Sequence, residues 1–331
     1  MTTAVAVELF VGVVFYAVFG GADFGAGFWD LTAGGPQRGR RPRELIDRSL
    51  GPVWEANHVW LIFCLVVLWT AFPRAFAAIM STLYVPLGLA ALGIVLRGSG
   101  FAFRKVTIRT VQQRATGAAF AASSVITPFF FGTVAGGIAS GRVPPDGGGD
   151  ALRSWVNPTS ALGGALAVLV CASLAAVFLA ADASAQADPD LEGWFVRRVF
   201  LVAGVAGALA LGGIGILDAD APRLFHRLVG PALPLVIISA VSGAAALFLL
   251  GRVSPRLLRV LAVVAAGAVV AGWGVAQYPY LLGTHLRISE AAAPTPTLWA
   301  VTLAFTAAVL LCVPSLGLLY LLQQRGHLES T

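Results

Sequence analysis

The stretch GPVWEANHVWLIFCLVVLWTAF, residues 51–72, opens with a carboxylate, an amide, an imidazole and two indoles and then loses all charge. Trp54, Glu55, Asn57, His58 and Trp60 fall within seven residues, and Leu61 to Phe72 carry no charged side chain. Such a run belongs in a hydrocarbon slab about 30 Å thick, with the cluster at its edge. Polar groups at that depth face a protein interior, a water-filled path or a partner, because lipid cannot satisfy them. On a helix, Trp54 and His58 are i, i+4 neighbours, while Glu55 and His58, and Asn57 and Trp60, are i, i+3. One face therefore carries both titratable groups. A carboxyl beside an imidazole at a membrane mouth suits proton relay, since surroundings can tune both to exchange protons near neutrality. A structural clasp between helices uses the same groups, and spacing does not choose between the two.

Composition extends the membrane reading to the whole chain. Of 331 residues, 58% are hydrophobic and 11% charged, with a mean hydropathy of +0.84, far from the roughly 25% charge of soluble domains. Runs long enough to span lie at about 8–30, 54–73, 76–97, 115–138, 159–181, 198–217, 229–250, 257–278 and 298–322. The expectation is one polytopic domain over residues 1–331, an all-α bundle of nine transmembrane helices. Pro73 cannot continue a helical ladder, so Phe72-Pro73-Arg74 reads as a tight hairpin that makes spans two and three antiparallel neighbours. Sixteen Lys and Arg fall in connections one, three, five and seven and the C-terminal tail, against six elsewhere. The positive-inside rule then sets the N-terminus outside and the C-terminus in the cytoplasm, with Trp54 to Trp60 at the cytoplasmic end of span two. Dispersal of the basic residues among short connections also argues against nucleic acid as the partner of a chain of net charge +6. A cleavable signal peptide is not expected, since the first run lacks a basic start and carries Glu8.

Cys64, Cys171 and Cys312 sit inside apolar runs without metal-ligand spacing and read as packing residues. The GGGD run within 147–150 lacks the Lys-Ser/Thr of a phosphate loop and reads as a flexible loop. Gly137 and Gly141 match a helix-packing pattern by chance at a helix end. Asp23, about two turns inside Asp30, lies among glycines that let another backbone approach. It either pairs with an Arg of a neighbouring helix or serves a proton path or quinone site. Asp30 reads as interfacial, with Trp29 in the headgroup belt. Pro86 is expected to bend span three. Arg97, seven residues and about 10.5 Å inside Arg104, either reaches Asp23 or Glu55 as a buried pair or snorkels to the interface. Of four histidines only His58 is near a span, and the two methionines are Met1 and Met80. No facing axial pair is available, so this chain is expected to bind no haem and no metal of its own.

GADFGAGFWDL in span one, GPVWEANHVWLIF in span two and LRGSGFAFR closing span three resemble, in order, subunit II of bacterial cytochrome bd-type ubiquinol oxidases, including the cyanide-insensitive branch. The resemblance is specific over about residues 8–105 and weaker beyond. It implies a heterodimer with subunit I, which carries b and d haems, takes electrons from quinol and reduces dioxygen to water with cytoplasmic protons, in the bacterial inner membrane. Subunit II then contributes structural support and a proton path and is not catalytic alone. Glu55 matches the acidic position of the W-D/E-x-N motif associated with that path. His58 stands where many members carry Gln or Glu, and Gly20 where some carry a second acid, leaving Asp23 as the carboxylate of span one. Trp54, Asn57, Trp60 and Arg97 match the pattern and are expected, with Arg104, to shape the site or the subunit interface. Some members hold a structural quinone or pair with a small accessory subunit, and nothing in this chain locates either. A secondary transporter would show internal repeats and midplane polar groups, and a pure scaffold would tolerate Gln at position 55.

Overall fold

The computed structural model describes residues 1–35, 37–50, 54–106 and 110–324, with side chains described at all of these except 50, 54–56, 101–106, 110–116, 316, 319–320 and 323–324. The chain begins with α1, Thr2–Phe15, continues through a π-helical segment, Tyr16–Gly20, and returns to α-helix in α2, Gly21–Thr32. There follow α3, Arg40–Leu50, and α4, Trp54–Ala71. Next come α5, Pro73–Thr82, α6, Tyr84–Val106, α7, Thr110–Ala139, and α8, Pro158–Ala185. The chain goes on through α9, Pro189–Asp220, α10, Pro222–Leu228, α11, Leu233–Phe248, and α12, Pro255–Gln277. A two-stranded antiparallel hairpin, β1, Tyr280–Leu282, and β2, Leu286–Arg287, precedes α13, Ile288–Ala291, and α14, Thr295–Gln324.

Six described helices are long and apolar enough to cross a membrane, or eight if each of two bent pairs is one span. The bends are 117° between Asn57–Ala71 and Pro73–Thr82 and 71° between Pro222–Leu228 and Leu233–Phe248, and Tyr84–Gly100 is a shorter apolar helix. The hairpin expected at Phe72-Pro73-Arg74 is instead the start of α5. Proline at the first helical position loses only an N–H that would have been unpartnered, so Pro73 opens a helix as readily as it ends one. The expected span at 76–97 is accordingly broken at Leu83. Pro86, expected to bend it, is the third residue of α6, where its missing N–H again costs nothing. Among the described residues α6 packs chiefly along α7 rather than α4.

The middle of the bundle is α2, α7 and α8, which meet through backbone. A Cβ at Gly25 would overlap the carbonyl of Cys171 and approach Ala175 Cβ at 2.8 Å. One at Gly132 would stand 2.7 Å from both the Gly163 carbonyl carbon and Gly164 Cα, and one at Gly136 2.5 Å from Ser160 Cα. The working small-residue pair is thus Gly132 and Gly136. Small residues at four-residue spacing let helices in lipid approach to van der Waals contact, where no hydrophobic effect drives them together.

Each end of the bundle is tied by ion pairs. At one end α3 lies across the helix ends with Leu45 and Ile46 buried against α2, α8 and α9. Its Arg43 donates to Asp30 Oδ1 at 2.8 Å and its Arg41 to Asp188 Oδ2 at 2.6 Å, and Arg259 of α12 pairs with Asp182 of α8. Asp30 and Trp29, read from the sequence as interfacial, are covered by protein at this end. α3 covers them, Asp30 is 5% and Trp29 2% exposed, and the indole N–H donates to the Ala172 carbonyl at 2.8 Å. Asp188 also caps α9, accepting from the Leu191 amide at 3.1 Å. That bond first, and Arg41 second, hold its carboxyl below the usual carboxylate range. At the opposite end Arg142 clamps Asp220 through two bonds of 3.1 and 2.6 Å, and Asp220 also accepts from the Thr159 amide and hydroxyl, joining α7, α8 and α9. Between 144 and 154 the chain forms hydrogen-bonded turns, with Asp150 Oδ1 accepting from the Leu152 and Arg153 amides.

Candidate functional site

Inside the bundle, seven residues past Tyr16 and just beyond the π-helical segment, Asp23 is 0% exposed and faces Arg97, 1% exposed. Arg97 Nη2 donates to Asp23 Oδ1 at 2.6 Å and to the Asp23 carbonyl at 2.8 Å, and Nε donates to Oδ2 at 3.1 Å. Nη1 donates to the Ser124 hydroxyl, which itself donates to the Phe120 carbonyl at 2.8 Å. The guanidinium carbon lies 4.3 Å from the centre of the Phe120 ring and 5.2 Å from that of Phe24. Every face of the cation thus has a partner. Planar donors matching both carboxylate oxygens are the geometry in which arginine tolerates burial. Gly27 makes room for it, since a Cβ there would come within 2.8 Å of Arg97 Nη1 and overlap Ser124. Of the two readings open for Arg97, the structure has the buried pair, with Asp23 as partner.

The α4 cluster lies against α1 and the π-helical segment. In a π turn the carbonyls leave the ordinary ladder, and the one on Phe19 accepts from Asn57 Nδ2 at 3.2 Å. Asn57 and Trp60 are each 5% exposed, and the Trp60 ring is 4.5 Å from that of Phe15. His58 is half-buried, with its ring centre 6.2 Å from those of both Tyr16 and Phe24. Phe24 is therefore shared, one ring between the imidazole and the guanidinium. The structure brings together Asp23, Asn57, His58, Trp60 and Arg97. The side chains of Trp54, Glu55 and Arg104 lie outside the described residues. Sequence reasoning passed over Ser124, Phe120 and Tyr16. A serine four residues from a phenylalanine in an apolar helix carries no distinctive pattern, whereas Tyr16, two turns before Asp23, was a discernible signal.

Among the described residues no group of three or more His, Cys, Asp or Glu could hold a metal ion, and the three cysteines are free. His226 lies on α10 and His285 in the turn between the strands, both away from His58 on α4. Among the described residues the donors at the site are one imidazole, one carboxylate bound by arginine, and a hydroxyl.

Apolar helices closed around a buried ion pair, with an imidazole and an amide on the neighbouring helix, define a polytopic α-helical membrane protein. The model of the family "cytochrome bd terminal oxidase subunit II" matches residues 1–323, and the chain belongs to that family. It is 26% identical over 236 residues to cytochrome bd ubiquinol oxidase subunit 2 of Bacillus subtilis, covering 70% of this chain and 66% of the relative. It is 30% identical over 135 residues to cytochrome bd-I ubiquinol oxidase subunit 2 of Escherichia coli, covering 40% and 35%. The chain thus spans 66% or less of the length of these relatives. In fold it is similar to a chain of the bd oxidase from Geobacillus thermodenitrificans, with a TM-score of 0.76 at 24% identity, covering 96% of this chain and 97% of that one.

Proposed function

We propose that this chain is the haem-free subunit of a bd-type quinol oxidase. It pairs with a haem-bearing subunit I in the bacterial cytoplasmic membrane and has no turnover alone. Haem groups in the partner supply the oxygen chemistry, and quinol bound through the complex supplies electrons. The chain's own residues hold and move protons drawn from the cytoplasm. Nine spans serve this reading, formed by α1 with α2, and by α4, α6, α7, α8, α9, α11, α12 and α14. The N-terminus is then outside, and the end carrying α3 faces the cytoplasm.

The observation that carries the proposal is the juxtaposition of the α4 cluster with the Asp23–Arg97 pair, on the motifs that carry the family resemblance. Glu55 and His58, one turn apart on α4, take up and pass protons. Asp23 acts on this path as the fixed charge beside it, because both its oxygens are held by Arg97. Trp54, Asn57, Trp60 and Arg104 shape the mouth, with Asn57 locking α4 to the π-helical segment.

The test is a complex purified through a tag on this chain, scored for haem per chain by reduced-minus-oxidised absorption and for quinol-dependent oxygen uptake. Glu55→Gln should retain haem and partner and lose turnover by roughly 10²-fold, the lower range for removing a proton-transfer group. Full turnover in Glu55→Gln would refute the relay, and a folded chain without a haem-bearing partner would refute the subunit assignment.

A further inference from the structure

Tyr16 opens the π-helical segment, and its ring stacks edge-on to Phe24 and Phe131 at 6.4 and 5.9 Å and lies 6.2 Å from the His58 ring. Its hydroxyl oxygen has almost no accessible surface and no hydrogen-bond partner among the described residues. The Phe24 ring it packs against also lies 5.2 Å from the Arg97 guanidinium carbon. Buried hydroxyls are nearly always hydrogen-bonded, because an unmet O–H forfeits its hydration. A phenylalanine would fill the same space without that cost, so the oxygen calls for an explanation that packing does not supply.

The local backbone is built around this ring. The π turn resets the helical phase between Phe15 and Gly21, a distortion that recurs at functional sites. The ring lies over Gly20, where any Cβ would stand 2.9 Å from Tyr16 Cε2. The loosened Phe19 carbonyl is taken by Asn57, one residue before His58. A glycine, a distorted turn and an amide thus combine to hold a phenol beside the imidazole.

We propose that the Tyr16 hydroxyl is a further proton-relay group of this chain, working with water beside His58. The inference rests on the proton-path reading above. The phenol oxygen accepts a proton from a water or imidazolium on one side while its own O–H proton leaves to a water on the other. The ring ends neutral, no electron is exchanged, and rotation about the C–O bond restores the donor.

Tyr16→Phe removes the oxygen alone. In the purified complex, haem per chain and partner content should be unchanged and the thermal midpoint equal or higher. Quinol-dependent oxygen uptake should fall on the order of tenfold, and its solvent deuterium isotope effect should rise as proton delivery becomes limiting. Unchanged turnover and isotope effect in Tyr16→Phe, beside a slow Glu55→Gln, would overturn the role of Tyr16 and leave the path standing. Unchanged turnover in both would overturn the path, and Tyr16 with it. Loss of haem or partner from Tyr16→Phe would make the hydroxyl an assembly contact and overturn the relay as well.

Discussion

Replacing Arg97 by methionine keeps the length and apolar volume of the side chain's stem and removes its charge. It leaves Asp23 at 0% exposure without this counter-ion, and it removes the bonds that Arg97 gives to the Asp23 carbonyl and the Ser124 hydroxyl. Two unit charges about 4 Å apart at an effective dielectric near 20 attract by about 4 kcal/mol. Removing one partner of a buried pair typically costs about 3–5 kcal/mol, so the two routes agree. In a chain of this size that corresponds to a fall of roughly 4–7 °C in thermal midpoint. Asp23→Leu should cost a similar amount by stranding the guanidinium. The double variant, Asp23→Leu with Arg97→Met, replaces the pair by apolar side chains and should recover most of the loss. The assay is thermal unfolding of the tagged complex with haem content measured on the same samples. A midpoint for Arg97→Met within about 1 °C of the parent would show that Asp23 is not held by this cation. A double variant as poor as the sum of the singles would show that the two residues do not act as a pair.

Two predictions concern other parts of the bundle. Gly25→Ala forces α2 away from the Cys171 carbonyl and should destabilise the chain by about 1–3 kcal/mol. Gly215→Ala, with nothing within 4 Å, should be neutral or slightly favourable in the same thermal assay, and equal effects at the two sites would contradict the close α2–α8 contact. Asp188 has a folded pKa below its unfolded value, so its stabilisation is full above the ordinary carboxylate range and is lost as pH falls through the lower folded value. The gap in thermal midpoint between the parent and Asp188→Ala should therefore be present at about pH 6 and narrow as the pH falls below about 4, and a gap that widens on acidification would reverse the assignment.

Hydropathy located apolar segments well because lipid permits only satisfied backbone, which leaves long uninterrupted runs. The ion pair was legible for a related reason, since Asp23 and Arg97 are charges in runs where charge must be explained. What stayed hidden was local backbone choice. Pro73 has the same missing N–H whether it ends one helix or begins another, and the neighbours in contact with α5 decide which. YAVFG at 16–20 carries no signature of a π turn, which arises from its fit against Asn57 and the Tyr16 ring. The α3 sequence RRPRELIDRSL read as a charged connection because six of its eleven residues are charged and its apolar ones, Leu45 and Ile46 among them, are few. Those few suffice once Asp30 and Asp188 offer its arginines partners.

The backbone-to-backbone contact among α2, α7 and α8 limits how the molecule can move. Helices separated by leucines can slide by exchanging rotamers, but at Gly25, Gly132 and Gly136 there is no side chain to exchange. The three helices must therefore travel as one stiff shaft, carrying Asp23 on α2 and Ser124 on α7 in fixed relation. Any flexing is left to the outer helices, and charge placed on the shaft keeps its position while they move.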